Sequence, residues 1–205
     1  MNCRVGYIGL LVVFALGLQS YNSYTPTPLV EYVEAYTSMK YKKPMANLIY
    51  VGTNRQKLYL IKNHQLVRVF DVSTSKYGVG QQTNSEKTPL GLHKISSKIG
   101  KTCPIGGILV GSNFSGKMAV IENNAVSTGT DDLTTRAMRL DGLEKGLNME
   151  GNNDTHKREI YIHGTPEEGL IGRPASHGCV RMRNKDVIEL FDLVEVNCYV
   201  LILEN

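Results

Sequence analysis

The 205-residue chain has no tryptophan, only four cysteines, and no run of Lys or Arg longer than two. Each shortage narrows the field. With a net charge of only +4 and no clustered cations, the chain lacks the charge density to neutralise a row of phosphates, so no nucleic-acid partner is expected. A composition of 41% hydrophobic and 20% charged residues excludes wholesale disorder, collagen-like repeats and a multi-span membrane protein. No internal repeat is present. At roughly 150 residues per domain, the length allows one domain with some chain left over. Gly 20 with Trp 0 points to many tight turns and a β-rich body.

What is present begins with an address. After Arg4, Val5 to Leu18 is free of charge, the length of a signal-peptide apolar region. As a helix it would rise about 21 Å, against a hydrocarbon core of ~30 Å. Residues 1–20 are therefore read as a cleaved signal peptide, or as an amino-terminal anchor retained in the inner membrane through 5–18. Both readings place the rest of the chain outside the cytoplasm, in the periplasm. No Cys follows the apolar run to accept a lipid. Outside the leader stand Cys103, Cys179 and Cys198, so in an oxidising compartment one must stay unpaired within the chain. Either all three are buried small hydrophobes, or a Cys103–Cys198 pair leaves Cys179 free.

Residues 21–46 shift to Tyr, Thr, Ser and Pro, which reads as a tether, with a short helix from Leu29 to about Met39 begun by Thr27 and Pro28. From 47 to 205 short apolar runs recur at 48–51, 57–61, 66–72, 91–95, 118–122, 159–164 and 198–203. These runs, punctuated by Thr53-Asn54, Asn63-His64 and Thr88-Pro89, predict a mainly β fold: an antiparallel, partly closed sheet with one or two short helices. The one long helical period starts at Asn184, expected as the cap, carries Val187, Ile188, Leu190, Phe191 and Val194, and ends near Glu195. The stretch 111–156 reads mostly as loop, with a turn of helix at 134–140.

The chemistry lies between Tyr161 and Arg183. A strand ends on His163-Gly164, and twelve residues after Gly164 comes Ser176-His177-Gly178-Cys179-Val180-Arg181. A free thiol, with a pKa near ~8.5, needs an imidazole or another positive influence to become a nucleophile. His177, two residues away, and His163, on a separate strand, are both candidates, and spacing does not choose between them. The glycines admit substrate and offer the N–H groups of Gly178 and Cys179 to an oxyanion. A thiolate–imidazolium couple and acyl transfer through a thioester follow. A secreted zinc hydrolase built on a His/His/Cys site and a non-catalytic wall-binding domain with an inert thiol are the rival readings, but no fourth ligand appears at short spacing, so neither metal nor cofactor is expected. His64, His93 and His156 are read as structural. Arg173, Arg181 and Arg183 around the nucleophile would suit a carboxylate-rich substrate.

The run IHGTPEEGLIGRPASHGCVRMRNKDVIELFDLV at 162–194 resembles the signature of the L,D-transpeptidase catalytic domain, found in exported cysteine enzymes that act on bacterial peptidoglycan. Weaker likeness extends through 47–204, including TPLGLHKI and TTRAMRLDGLEKGLN. The resemblance implies Cys179 as nucleophile, His163 as proton acceptor and donor, and the Gly164 carbonyl orienting the imidazole. It implies His177 and Gly178 on the oxyanion side, with Arg181 holding a stem-peptide carboxylate and Ser176 beside the substrate. The implied reaction is attack on the third stem residue, expulsion of the terminal D-alanine, and transfer to an amine in cell wall biogenesis. The acceptor is a second stem, giving a 3→3 cross-link, a lysine of an outer-membrane lipoprotein, or a D-amino acid; water as acceptor gives L,D-carboxypeptidase activity. Peptidoglycan stem peptides are thus the expected partners.

Overall fold

The computed structural model describes residues 27–205. The leader expected over 1–20 lies outside the described residues. The chain runs α1 (Pro28–Tyr41), β1 (Leu48–Gly52), β2 (Lys57–Lys62), β3 (Gln65–Asp71) and β4 (Gly91–Ile99). It continues through β5 (Gly107–Val110), β6 (Asn113–Met118), β7 (Thr134–Gly142), β8 (Tyr161–Gly164), β9 (Val180–Met182), α2 (Asn184–Leu193) and β10 (Tyr199–Leu203). The strands form one sheet in the order β3-β2-β1-β10-β4-β7-β5-β6, with β8 added to β7 and β9 to β8. The mainly β expectation holds. The sheet is mixed, however, because β1 pairs in parallel with β10 and β8 with β9, and it does not close into a barrel.

Alternation along β1 explains why the whole strand is buried. Ile49 and Val51 face the main core with Leu58, Leu60, Met138, Ile162, Val180 and the apolar side of α2, whereas Leu48 and Tyr50 face α1. Helix α1 sets Val30, Val33 and Thr37 against that second face, and Lys42 ends it in the left-handed conformation. Its carboxyl end is pinned by Glu144, whose carboxylate accepts from the Tyr41 hydroxyl at 2.7 Å and pairs with Lys40 at 2.8 Å. From Pro28 onward, then, the segment expected as a tether is folded onto the sheet. Asn63 and His64 take positive φ (49° and 64°), the two-residue hairpin turn that their side chains suggest.

Three local expectations are corrected. Residues 134–140, expected as a turn of helix inside a loop, are the core of β7, which pairs with β4, β5 and β8. Ala, Met, Leu and Arg there favour helix in isolation, but burial of Ala137, Met138 and Leu140 between neighbouring strands decides the outcome. The strand expected at 118–122 stops at Met118. Asn184 is the first residue of α2 rather than its cap; the Glu168 carboxylate caps the helix instead, accepting the Asn184 N–H at 2.8 Å. Cys103 and Cys198 are both free thiols, Cys103 packed with Ile99, Leu109 and Ala137, and Cys198 against the main core.

Candidate active site

Parallel strands β8 and β9 lie in register, with Ile162 opposite Val180 and His163 opposite Arg181. Ile162 and Val180 point into the core, so alternation sends His163 and Tyr161, with Arg181 and Cys179, to the other face. Cys179 and His163 are thereby diagonal neighbours, roughly 8 Å apart at Cα from the strand rise and spacing. The Cys179 Sγ accepts the Tyr161 N–H at 3.3 Å, and its S–H points to the Glu159 carbonyl at 3.6 Å. His163 is fully buried, and its Nδ1–H donates to the Gly164 carbonyl at 2.8 Å. A carbonyl only accepts, so Nδ1 carries the proton and Nε2 the lone pair. Nε2 is buried without a hydrogen-bond partner. This is the geometry of a base held ready, although Sγ and Nε2 are not hydrogen-bonded to each other in this structure.

The loop before β9 is shaped by its own polar groups. Ser176 is buried; its Oγ donates to the Cys179 carbonyl at 2.6 Å and accepts the Gly178 N–H at 3.2 Å. Ser176 therefore builds the loop and faces no substrate space. Gly178 sits at φ +128°, where a Cβ would come 3.2 Å from Ile160, and its carbonyl takes the Thr88 hydroxyl at 3.0 Å. With the Gly178 N–H committed to Ser176, the oxyanion donor left is Cys179 N–H, which has no acceptor among the described residues. Gly164 is required too: a Cβ there would lie 2.6 Å from the Thr134 carbonyl.

Arg181 is where expectation and structure part. Its side chain is 1% exposed, with Nε 2.7 Å from Asp131 Oδ1 and Nη1 2.7 Å from Glu167 Oε2. Held between two carboxylates of its own chain, it is not presented to a substrate carboxylate. Arg183 pairs with Asp71 and Asp186 at 3.4 and 3.7 Å, and Arg173 is exposed. The other guanidinium whose charge reaches the thiol is Arg158, tied to the Gly80 carbonyl at 3.1 Å and the Ser85 hydroxyl at 3.4 Å. Asp131, Glu167 and Arg158 were not singled out in the sequence. Nothing marks Asp131, 46 residues before His177 in a Gly-, Asn- and Asp-rich stretch, except that a buried Arg requires an acid partner.

Asp131 organises the second imidazole. Its Oδ2 accepts the His177 main-chain N–H at 3.1 Å and lies 2.8 Å from His177 Nδ1. Burial pushes the Asp131 carboxyl up, but the charges of His163 and Arg181 and the bonds from His177 and Arg181 outweigh it and leave it below the usual range. Burial pushes the Cys179 thiol up to about 12, with the Asp131 charge adding to the rise and Tyr161 N–H, Arg181 and Arg158 opposing it. Burial likewise lowers His163, against the Asp131 charge and the Gly164 carbonyl. Burial thus opposes charge on both groups in the free site, against the thiolate–imidazolium couple expected there, while the Asp131 carboxylate favours a proton on His163. A proton that moves from Sγ to His163 during attack meets both conditions. A cleft of about 350 Å³ is lined by Glu86, Lys157, Arg158, Glu159, Ile160 and His177, and it neighbours the thiol through Glu159, whose carbonyl lies 3.6 Å from Sγ. Cys179 bonded to acyl carbon, with His163 as relay and Cys179 N–H toward the oxyanion, is chemistry this arrangement can perform.

A sequence profile of the L,D-transpeptidase catalytic domain matches residues 46–202. Two curated Bacillus subtilis proteins named as L,D-transpeptidases match shorter segments. YqjB is 43% identical over 51 residues, 25% of this chain and 29% of that protein, and YkuD is 53% identical over 38 residues, 18% of this chain and 23% of that protein. The matched segments thus span less than a third of those relatives. Among solved structures, an L,D-transpeptidase from Mycobacterium smegmatis aligns at a TM-score of 0.49 and 15% identity, covering 77% of this chain and 58% of that one. L,D-transpeptidase 3 from Mycobacterium tuberculosis, in complex with a faropenem-derived adduct, aligns at 0.48 and 16%, covering 78% and 60%. With the profile spanning most of the described residues and both the His163-Gly164 and the Ser176 to Cys179 segments, the chain belongs to the L,D-transpeptidase catalytic domain family.

Proposed function

We propose that the protein is an exported peptidoglycan L,D-transpeptidase in which Cys179 is the nucleophile and His163 the base. The observation that carries this is the His163 ring: Nδ1–H fixed on the Gly164 carbonyl at 2.8 Å, Nε2 buried and unpartnered, on the strand paired with the one that follows Cys179. In the first step Sγ attacks the carbonyl of the third stem residue while its proton passes to His163 Nε2. That proton then goes to the departing D-alanine nitrogen, leaving a thioester on Cys179. The Asp131 carboxylate stabilises the transient imidazolium, and Cys179 N–H receives the oxyanion. An amine then takes the acyl group. A second stem peptide is the acceptor we favour, since the cleft that His177 lines carries both charge signs, Lys157 and Arg158 with Glu86 and Glu159. Export rests on the apolar run at 5–18.

Incubation of the protein with disaccharide-tetrapeptides, with products read by mass, tests this. Cross-linked dimers lacking one D-alanine support transpeptidation between stems, tripeptides alone would mean water is the acceptor, and unchanged tetrapeptide contradicts the proposal. Cys179→Ser abolishes every product.

A further inference from the structure

Making an amide from a thioester poses a proton balance that one buried base does not close. An acceptor amine with a pKa near that of lysine, ~10.4, arrives at neutral pH as an ammonium and must lose two protons to become an amide N–H. One ends on the departing sulfur. The other must reach water. His163 is fully buried, so it can carry a proton only between the reacting nitrogen and Sγ.

His177 differs on each point. Its side chain is 34% exposed, and it lines the cleft beside Cys179. Nδ1–H donates to Asp131 Oδ2 at 2.8 Å, and the main-chain N–H donates to the same oxygen at 3.1 Å. Nε2 is thus the basic nitrogen, and it has no partner among the described residues. The carboxylate that orients it is itself held on the far side by Arg181 Nε and Nη2, at 2.7 and 2.6 Å from Oδ1. Tyr77 stands with its ring 6.1 Å from that of His177, and Glu86, Lys157, Arg158 and Glu159 complete the surroundings. Lys157 and Arg158 donate hydrogen bonds and accept none, and Glu159 turns toward Arg139 at 4.0 Å.

We infer that His177, positioned by Asp131, is the acceptor-side base of the transfer, an inference that rests on the Cys179 thioester proposed above. His177 Nε2 takes the first proton of the incoming ammonium and releases it to water. The freed amine attacks the thioester carbonyl, the C–N bond forms and the C–S bond breaks. The second nitrogen-borne proton passes through His163 Nε2 to Sγ, which restores the thiol. The two imidazoles divide the work by access to solvent: the buried one recycles the thiol proton, and the exposed one exports the acceptor's.

The test compares two acceptors at neutral pH, a D-amino acid, whose amine is an ammonium, and hydroxylamine, which is already uncharged. In His177→Gln the ratio of transfer rates, D-amino acid over hydroxylamine, should fall roughly 100-fold, the usual weight of general base catalysis. Asp131→Asn should move the same ratio in the same direction. Where Asp131→Asn does not fold, as judged by its thermal melt, the His177→Gln ratio alone decides. Equal slowing with both acceptors means that His177 only holds the loop and overturns the inference. Thioester formation on Cys179 in the unmodified protein separates the two claims: no adduct defeats the thioester and this inference together, whereas an adduct with an unmoved ratio defeats this inference alone.

Discussion

Burial pushes the Cys179 thiol up to about 12 and lowers His163, which opposes charge on both, so at the residue scale reactivity is expected to depend on proton transfer during attack. Iodoacetamide alkylation of Cys179 should climb about tenfold per pH unit from 7 to 10 with no plateau, because thiolate is still scarce there. A plateau reached by neutral pH would show an ion pair instead. Turnover needs neutral His163, whose pKa lies below the ordinary histidine value; kcat/KM should therefore persist beneath pH 6.5 and fall only at lower pH. Arg181 belongs to the same scale. Replacing it with Ala strands Glu167, 1% exposed, and the half-buried Asp131, so a loss of about 3–5 kcal/mol is expected in chemical denaturation, with iodoacetamide reactivity changing as the loop loosens. Cys179, His163 and the Gly164 carbonyl were legible as motif letters, because each sits at a fixed offset on β8 or before β9. Asp131 and Glu167 were not, since what recruits them is a buried guanidinium far away in sequence.

At the scale of elements, β1, β2, β3 and β10 could be read from β-branched and aromatic runs with turn residues between them. β7 could not. Its TTRAMRLDG run has helix-favouring letters, and only pairing on both edges makes it a strand. The helix at 184–193 was visible through its apolar period, but its cap was not, because Glu168 comes from a neighbouring turn. Helix α1 was read as short and its surroundings as spacer. Its buried contacts say otherwise: Val33 is 0% exposed among Leu48, Tyr50 and Leu201. Val33→Ala should cost about 2 kcal/mol and lower Tm by roughly 4–8 °C, measured by calorimetry, whereas a spacer would show no change.

For the whole molecule, acid is the informative stress. His93 is fully buried between β10 and the 144–149 loop, with Nδ1–H on the Gly91 carbonyl at 3.0 Å and Nε2 accepting from Asn148 at 3.3 Å. Burial lowers its pKa to about 4. Above pH 6.5 the folded and unfolded states are both neutral there and stability is full. Between about 6.5 and 4 the unfolded chain binds a proton that the fold refuses, so stability falls as pH drops, by about 3 kcal/mol in all. Denaturant midpoints across that range should show the decline, and His93→Gln, which cannot titrate, should reduce it to the share that buried His163 contributes.

The most direct measurement is mass spectrometry of the protein mixed with a disaccharide-tetrapeptide, with peptide mapping and D-alanine counted in the same sample. The expected result is an acyl group on the Cys179 peptide, one D-alanine freed per adduct, and formation of that adduct slowed 10²- to 10⁴-fold in His163→Ala. D-Alanine release that survives Cys179→Ser, or a His163→Ala protein that acylates at the unmodified rate, would contradict it.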